Sequence, residues 1–146
     1  MKILKMLAAF LALGWAASFS AETPEDKDME QTTETEQIEA RALYDAFKQN
    51  KADPYKKRMR IKGIATYVGP DVYALPSVEL SETEGVKGRA LCVLPFGDYL
   101  KLRHVSKKDT VVMEGDVRGF AEKYDIVVVK ESKIITVNGK KPGDQK

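Results

Sequence analysis

Cysteine, histidine and tryptophan occur once each in the 146 residues, at Cys92, His104 and Trp15. A single cysteine excludes an intramolecular disulfide. Cys92 stands in the apolar run Ala90-Leu91-Cys92-Val93-Leu94 and reads as a small buried hydrophobe, the alternative being a reactive or dimer-forming thiol. With one histidine and no cysteine pair there is no set of zinc ligands. Ser106 lies too close to His104 for a nucleophile and base to come from separate elements, and no nucleophile elbow is present. Glu114 and Asp116 are two apart on one strand face, a spacing typical of a solvated face. These scarcities predict no catalytic residue, no metal and no cofactor.

Long apolar runs are also scarce. The one from Leu7 to Ala17 follows Lys2 and Lys5 and is interrupted only by Gly14. Ser18-Phe19-Ser20 then supplies small residues for cleavage before Ala21. That pattern predicts a secretory signal peptide over residues 1–20, too short and too promptly followed by acid to be a membrane span. No cysteine lies between Ala16 and Ala21, so the usual bacterial lipid-attachment site is missing. The expected product is a soluble periplasmic or secreted protein with no transmembrane segment.

Cleavage would remove two of the 24 basic residues and none of the 22 acidic ones, leaving 22 against 22. The balance is uneven along the chain. Ala21 to Ala46 holds two bases and nine acids, and Phe47 to Lys146 holds 20 bases and 13 acids. An acidic lead-in, poor in apolar residues and expected to be disordered over 21–34, precedes a basic domain over 35–137 and a polar tail over 138–146. About 126 residues suit one domain with one moderate core.

Ile38, Ala42, Leu43, Ala46 and Phe47 recur at helical spacing, predicting an amphipathic helix from Thr35 to Asn50, ended by Asn50 and Asp53-Pro54. Met59 to Val68 alternates as a strand, with a phase shift predicted at Gly63 as a bulge. Val72–Leu80, interrupted by Pro76, is a second strand, and Arg89–Leu94 a third, buried on both faces. Phe96–Val105 suggests a short helix with Phe96, Tyr99, Leu100 and Val105 on its apolar side. Thr110–Arg118 is a fourth strand, Gly119–Lys123 a hairpin loop, and Tyr124–Lys130 a fifth strand continuing towards Val137. The fold class predicted is mainly β with an N-terminal helix: a five-stranded OB-fold barrel (Greek key) with a short helix between strands three and four. The helix should bury Ile38, Leu43, Ala46 and Phe47 against barrel residues such as Ile61, Leu91 and Val112.

From about Ala40 to Ile135 the chain resembles the exported bacterial OB-fold proteins of the tRNA_anti-like family. The resemblance rests on Ala42-Leu43-Tyr44-Asp45-Ala46-Phe47 with Asn50, Ala52 and Tyr55, then Arg60-Ile61-Lys62-Gly63, Cys92, and Asp109 to Gly115. Lys108 stands where a turn glycine is commoner, and the Val72–Gly88 stretch is long. The resemblance implies the barrel and leaves the ligand open.

OB-folds bind chains across strands two and three and the loops joining strands one to two and four to five. The basic cluster Arg58, Arg60 and Lys62, with Arg89, and the aromatics Tyr67, Tyr73, Phe120 and Tyr124 are the candidate ligand-binding residues, Phe120 being placed at a loop tip. The reading is a non-catalytic exported binding protein of the bacterial envelope, its partner a protein, a glycan or another anionic ligand. The alternative is a single-stranded nucleic-acid-binding protein. The acidic Glu22–Glu39 stretch is read as a soluble linker, the other reading being that it folds over the basic face.

Overall fold

The computed structural model describes residues 34–143. The expected signal peptide, nearly all of the acidic lead-in and the last three residues of the tail lie outside the described residues. Among those described, no helix is long and apolar enough to cross a membrane.

The architecture grows from one long strand. β2 (Arg58–Pro70) follows a short strand β1 (Gln37–Glu39), helix α1 (Ala40–Lys48) and a 3-10 turn at Asp53–Tyr55. Met59, Ile61, Gly63 and Ala65 are buried, while the residues between them face outward. One edge of β2 pairs antiparallel with β5 (Thr110–Ala121) through Arg58–Ile64; from Ile64 to Pro70 β2 pairs with β3 (Pro76–Ser81). β3 pairs with β4 (Ala90–Val93), β4 runs parallel to β6 (Ile126–Val137), and β6 pairs with β5. The order β2-β3-β4-β6-β5 therefore returns to β2. The result is a closed five-stranded barrel with one extra strand, β1, laid parallel along Arg60–Lys62. The closing ladder between β2 and β5 runs from Arg58↔Asp116 to Ile64↔Thr110. Leu80, Cys92, Met113, Val127 and Val129 fill the interior, all fully buried.

Helix α1 is shorter than predicted. Gln37–Glu39 is extended, held to β2 by Gln37↔Arg60, Ile38↔Ile61 and Glu39↔Lys62. Ile38 thus packs on the core from a strand, and Ala40, Leu43 and Tyr44 are the buried helix residues, while Ala46 and Phe47 are only partly covered. The helix end falls where predicted. Asn50 takes a φ of 56°, its N–H donates to Phe47 O (3.2 Å), and Lys51 N–H donates to Ala46 O (2.8 Å). That left-handed closure satisfies the last carbonyls. α1 lies against β2, β3, β4 and β6, across one end of the barrel.

Gly63 is not a bulge, because its pairing with Val111 runs in register. Its missing side chain makes room instead: a Cβ there would stand 2.9 Å from the Leu80 Cβ and 3.2 Å from the Ala40 Cβ. The break in β2 comes at Thr66, between Ala65↔Leu80 and Tyr67↔Glu79. Gly115 does sit at a register shift, between Glu114 and Asp116.

After β4 the chain forms a 3-10 segment, Phe96–His104, kinked at Asp98. Its apolar side differs from expectation. Leu102 and Val105 are buried, whereas Phe96 and Leu100 are among the most exposed large hydrophobics. Leu91 and Val112, expected to pack under the helix, are only partly buried and lie outside the core cluster to which Leu43 and Tyr44 belong.

Candidate binding groove

The outer face of β3, β4 and β6 carries a groove of about 640 Å³, a size that accommodates a small ligand or a few units of a chain. Alternation decides its floor. On β4, Ala90 and Cys92 point inward, so Leu91 and Val93 line the groove; on β6, Val127 and Val129 point inward, so Ile126, Val128 and Lys130 do. Ser77 and Glu79 take the same role on β3.

Tyr67 reaches this face because of the irregularity at Thr66. In phase with Ile61, Gly63 and Ala65 it would point into the barrel. One extra residue reverses the alternation, turning Tyr67 outward and Val68 against the core. The Tyr67 hydroxyl donates to Pro70 O at 2.6 Å, tying the ring to the following loop. In that loop the Asp71 carboxylate accepts from the Tyr73 and Leu75 amides (2.8 and 2.9 Å), and Ala74 takes a φ of 66°. These bonds fix the backbone and leave the Tyr73 side chain 76% exposed over the groove.

The β5–β6 turn supplies the opposite flank. Tyr124 N–H donates to Ala121 O (3.1 Å), and Asp125 takes a φ of 55°. The Asp125 carboxylate accepts from the Tyr44 hydroxyl (2.9 Å to each oxygen) and from Lys48 and Lys87 (3.3 Å). The Tyr44 hydrogen bond, with those from the two lysines, holds the Asp125 carboxyl below its usual range against the opposing effect of burial. The turn that carries Tyr124 is therefore braced from below by α1.

Three of the predicted residues, Tyr67, Tyr73 and Tyr124, thus come together in the groove. The others do not. Arg58 and Arg60 both bond Glu114 (3.0 and 3.1 Å), Arg58 also bonds Asp116 (3.1 Å), and Lys133 stands 3.9 Å from Glu114. Burial alone would raise the Glu114 carboxyl; the two guanidinium hydrogen bonds outweigh it and hold the group below its ordinary value. Lys62 continues that row along β2, opposite Val112, and does not line the groove. Arg89 bonds Glu82 (3.0 Å), which also accepts from Arg41, and its guanidinium lies 4.7 Å from the Tyr44 ring centre. The Arg89 hydrogen bond holds the Glu82 carboxyl down at about 2. Phe120 is not at a loop tip. It belongs to β5 and stacks on Phe47 (6.2 Å) beside Tyr44 (5.8 Å), supporting the helix.

Sequence reasoning missed Glu79, Lys87 and Lys130. The usable signal was alternation: once Val78 and Leu80 are interior, Glu79 must be on the groove face. Among the described residues no group of three or more His, Cys, Asp or Glu could hold a metal ion. Cys92 lies within the barrel, where burial pushes its thiol up to about 12.

A barrel of this strand order, with its concave face between those two loops, is an OB-fold. The chain belongs to the tRNA_anti-like family, whose model matches residues 1–133. No curated protein matches it. Among solved structures it is similar to a lipoprotein of Klebsiella pneumoniae subsp. pneumoniae for which nucleic-acid binding is proposed. The TM-score is 0.55 at 12% identity, over 78% of this chain and 100% of that one. At that identity the likeness is one of fold.

Proposed function

We propose that this chain is a non-catalytic binding module of the bacterial envelope that takes its ligand in the groove over β3, β4 and β6. The observation that carries the reading is the convergence of Tyr67, Tyr73 and Tyr124, from β2 and two separate turns, on one concave apolar face. The hydrogen bonds that hold the two turns do not involve the Tyr73 and Tyr124 rings, and Lys123 Nζ lies 5.5 Å from the Tyr124 ring centre; fixed turns of this kind are the preorganisation a binding site needs. Export is supported by the leader-like first 20 residues. Tyr67, Tyr73 and Tyr124 are the proposed ligand contacts; Arg58, Arg60, Arg89 and Phe120 are assigned to stability.

A second reading, single-stranded nucleic acid, is favoured by the same tyrosines as a stacking platform with Lys87 and Lys130 beside them, and by the proposed role of the Klebsiella lipoprotein. Titrating the protein with labelled single-stranded DNA and RNA across a salt series tests it. A phosphate-driven complex weakens steeply with salt. For either reading, Tyr73→Ala and Tyr124→Ala should weaken binding about tenfold each without changing the melting temperature. Binding indifferent to both substitutions would place the ligand elsewhere.

A further inference from the structure

We infer that Glu79 makes the groove a site for neutral, hydroxyl-rich chains such as oligosaccharides, and that it excludes a phosphodiester backbone. The inference rests on the groove being the ligand site and concerns what the groove selects.

Glu79 stands on the floor, between Tyr67 on β2 and Leu91 on β4, its partners in the two strand ladders. Its side chain lies over Gly88, where a Cβ would stand 2.9 Å from the Glu79 Cβ. Only glycine lets the carboxylate lie in that position. Among the described residues no donor reaches the carboxylate within hydrogen-bond distance; the bond at Glu79 that involves a side chain is from Thr66 to its main-chain oxygen. Burial raises its pKa, with Lys87 acting in the opposite direction. A half-buried carboxylate with no hydrogen-bond donor is an unfilled acceptor, and the ligand must bring a donor.

The charges around it narrow the class. The groove is lined by two cations, Lys87 and Lys130, and two anions, Asp71 and Glu79, so it carries no excess of positive charge. Lys87 is already shared with Asp125, and the arginines nearest in sequence are neutralised outside the groove by Glu82, Glu114 and Asp116. A phosphate chain would find no continuous basic track and a carboxylate at the centre. A sugar chain offers flat C–H faces to the three tyrosines and paired hydroxyl donors to the two carboxylate oxygens.

The test uses the purified full chain titrated calorimetrically with cellohexaose, chitohexaose and an octamer of thymidylate, in wild type, Glu79→Gln and Tyr73→Ala. Glutamine keeps the shape but exchanges one acceptor oxygen for a donor. The expected result is that a hexasaccharide binds with little salt dependence, that Glu79→Gln weakens it about tenfold, and that Tyr73→Ala weakens it too. The thymidylate octamer binding with a steep salt slope, weakened by Tyr73→Ala but tightened by Glu79→Gln, would overturn the sugar assignment and keep the groove. Failure of both hexasaccharides to bind also overturns the assignment. Binding of any probe that is unaffected by Tyr73→Ala would overturn the groove itself.

Discussion

Glu114→Gln separates a structural from a ligand-binding role for the basic row on β2. The Glu114 side chain is 9% exposed and accepts from Arg58 at 3.0 Å and Arg60 at 3.1 Å. Two hydrogen bonds to charged groups are worth about 1.5–3 kcal/mol each when fully desolvated. The Arg58 and Arg60 side chains are 39% and 34% exposed, so water recovers much of that on removal, and a net loss of roughly 2 kcal/mol is expected. For a domain of this size that lowers the melting temperature by about 10 °C. The pH dependence has a definite sign. The folded carboxyl is held below its ordinary value of 4.5, so its contribution is complete above that value and lost as the pH falls through the folded pKa. Thermal melts of wild type and variant should differ at neutral pH and converge on acidification. Equal melting temperatures at neutral pH would refute the structural role. Arg58→Ala abolishing binding of a groove ligand while leaving the melt unchanged would refute it from the other side.

Leu43→Asp puts an unpaired charge at a fully buried helix position facing the barrel end; a loss of about 3–5 kcal/mol follows, and an unchanged denaturant midpoint would exclude the packing described. Gly63→Ala sets a Cβ 2.9 Å from both Leu80 Cβ and Ser81 O, one of them backbone, so a loss of about 1–3 kcal/mol is expected, read by urea titration. Cys92, fully buried and with its thiol pushed up to about 12, should be alkylated near neutral pH only through global opening. Labelling rates that rise with denaturant in parallel with unfolding support this; fast labelling of the native protein contradicts it.

The barrel is legible in the sequence because each strand carries its own alternation or apolar run between turn residues. Asn50 marks the helix end by itself, since few side chains tolerate the left-handed conformation it adopts. What could not be read depends on partners distant in sequence. Gln37–Glu39 has no strand signal of its own and becomes β1 only by lying along Arg60–Lys62. Phe96 and Leu100 match a helical apolar side, but the segment is 3-10 and kinked at Asp98, which changes the period and leaves them outside. The shift at Thr66 carries no glycine, unlike the one at Gly115, so glycine alone was an unreliable marker of where β2 breaks phase.

The candidate site shows the same division between local and distant information. Tyr73 and Tyr124 lie beside turn residues and could be placed at the groove from the strand order. Phe120 is four residues from Tyr124, yet it faces Phe47 across the barrel surface because β5 runs on to Ala121. Charge misleads for a related reason. Arg58, Arg60 and Arg89 look like a basic patch in the sequence because Glu82, Glu114 and Asp116 are up to 58 residues from the arginines they bond. Once those pairs form, the excess of bases over acids in the body of the chain no longer describes the groove, where two lysines face two carboxylates. On the reading proposed above, ligand class follows from the local balance at Glu79, and a single neutralising substitution there, read for its sign against sugar and nucleotide probes, distinguishes the two chemistries that an OB-fold barrel accommodates.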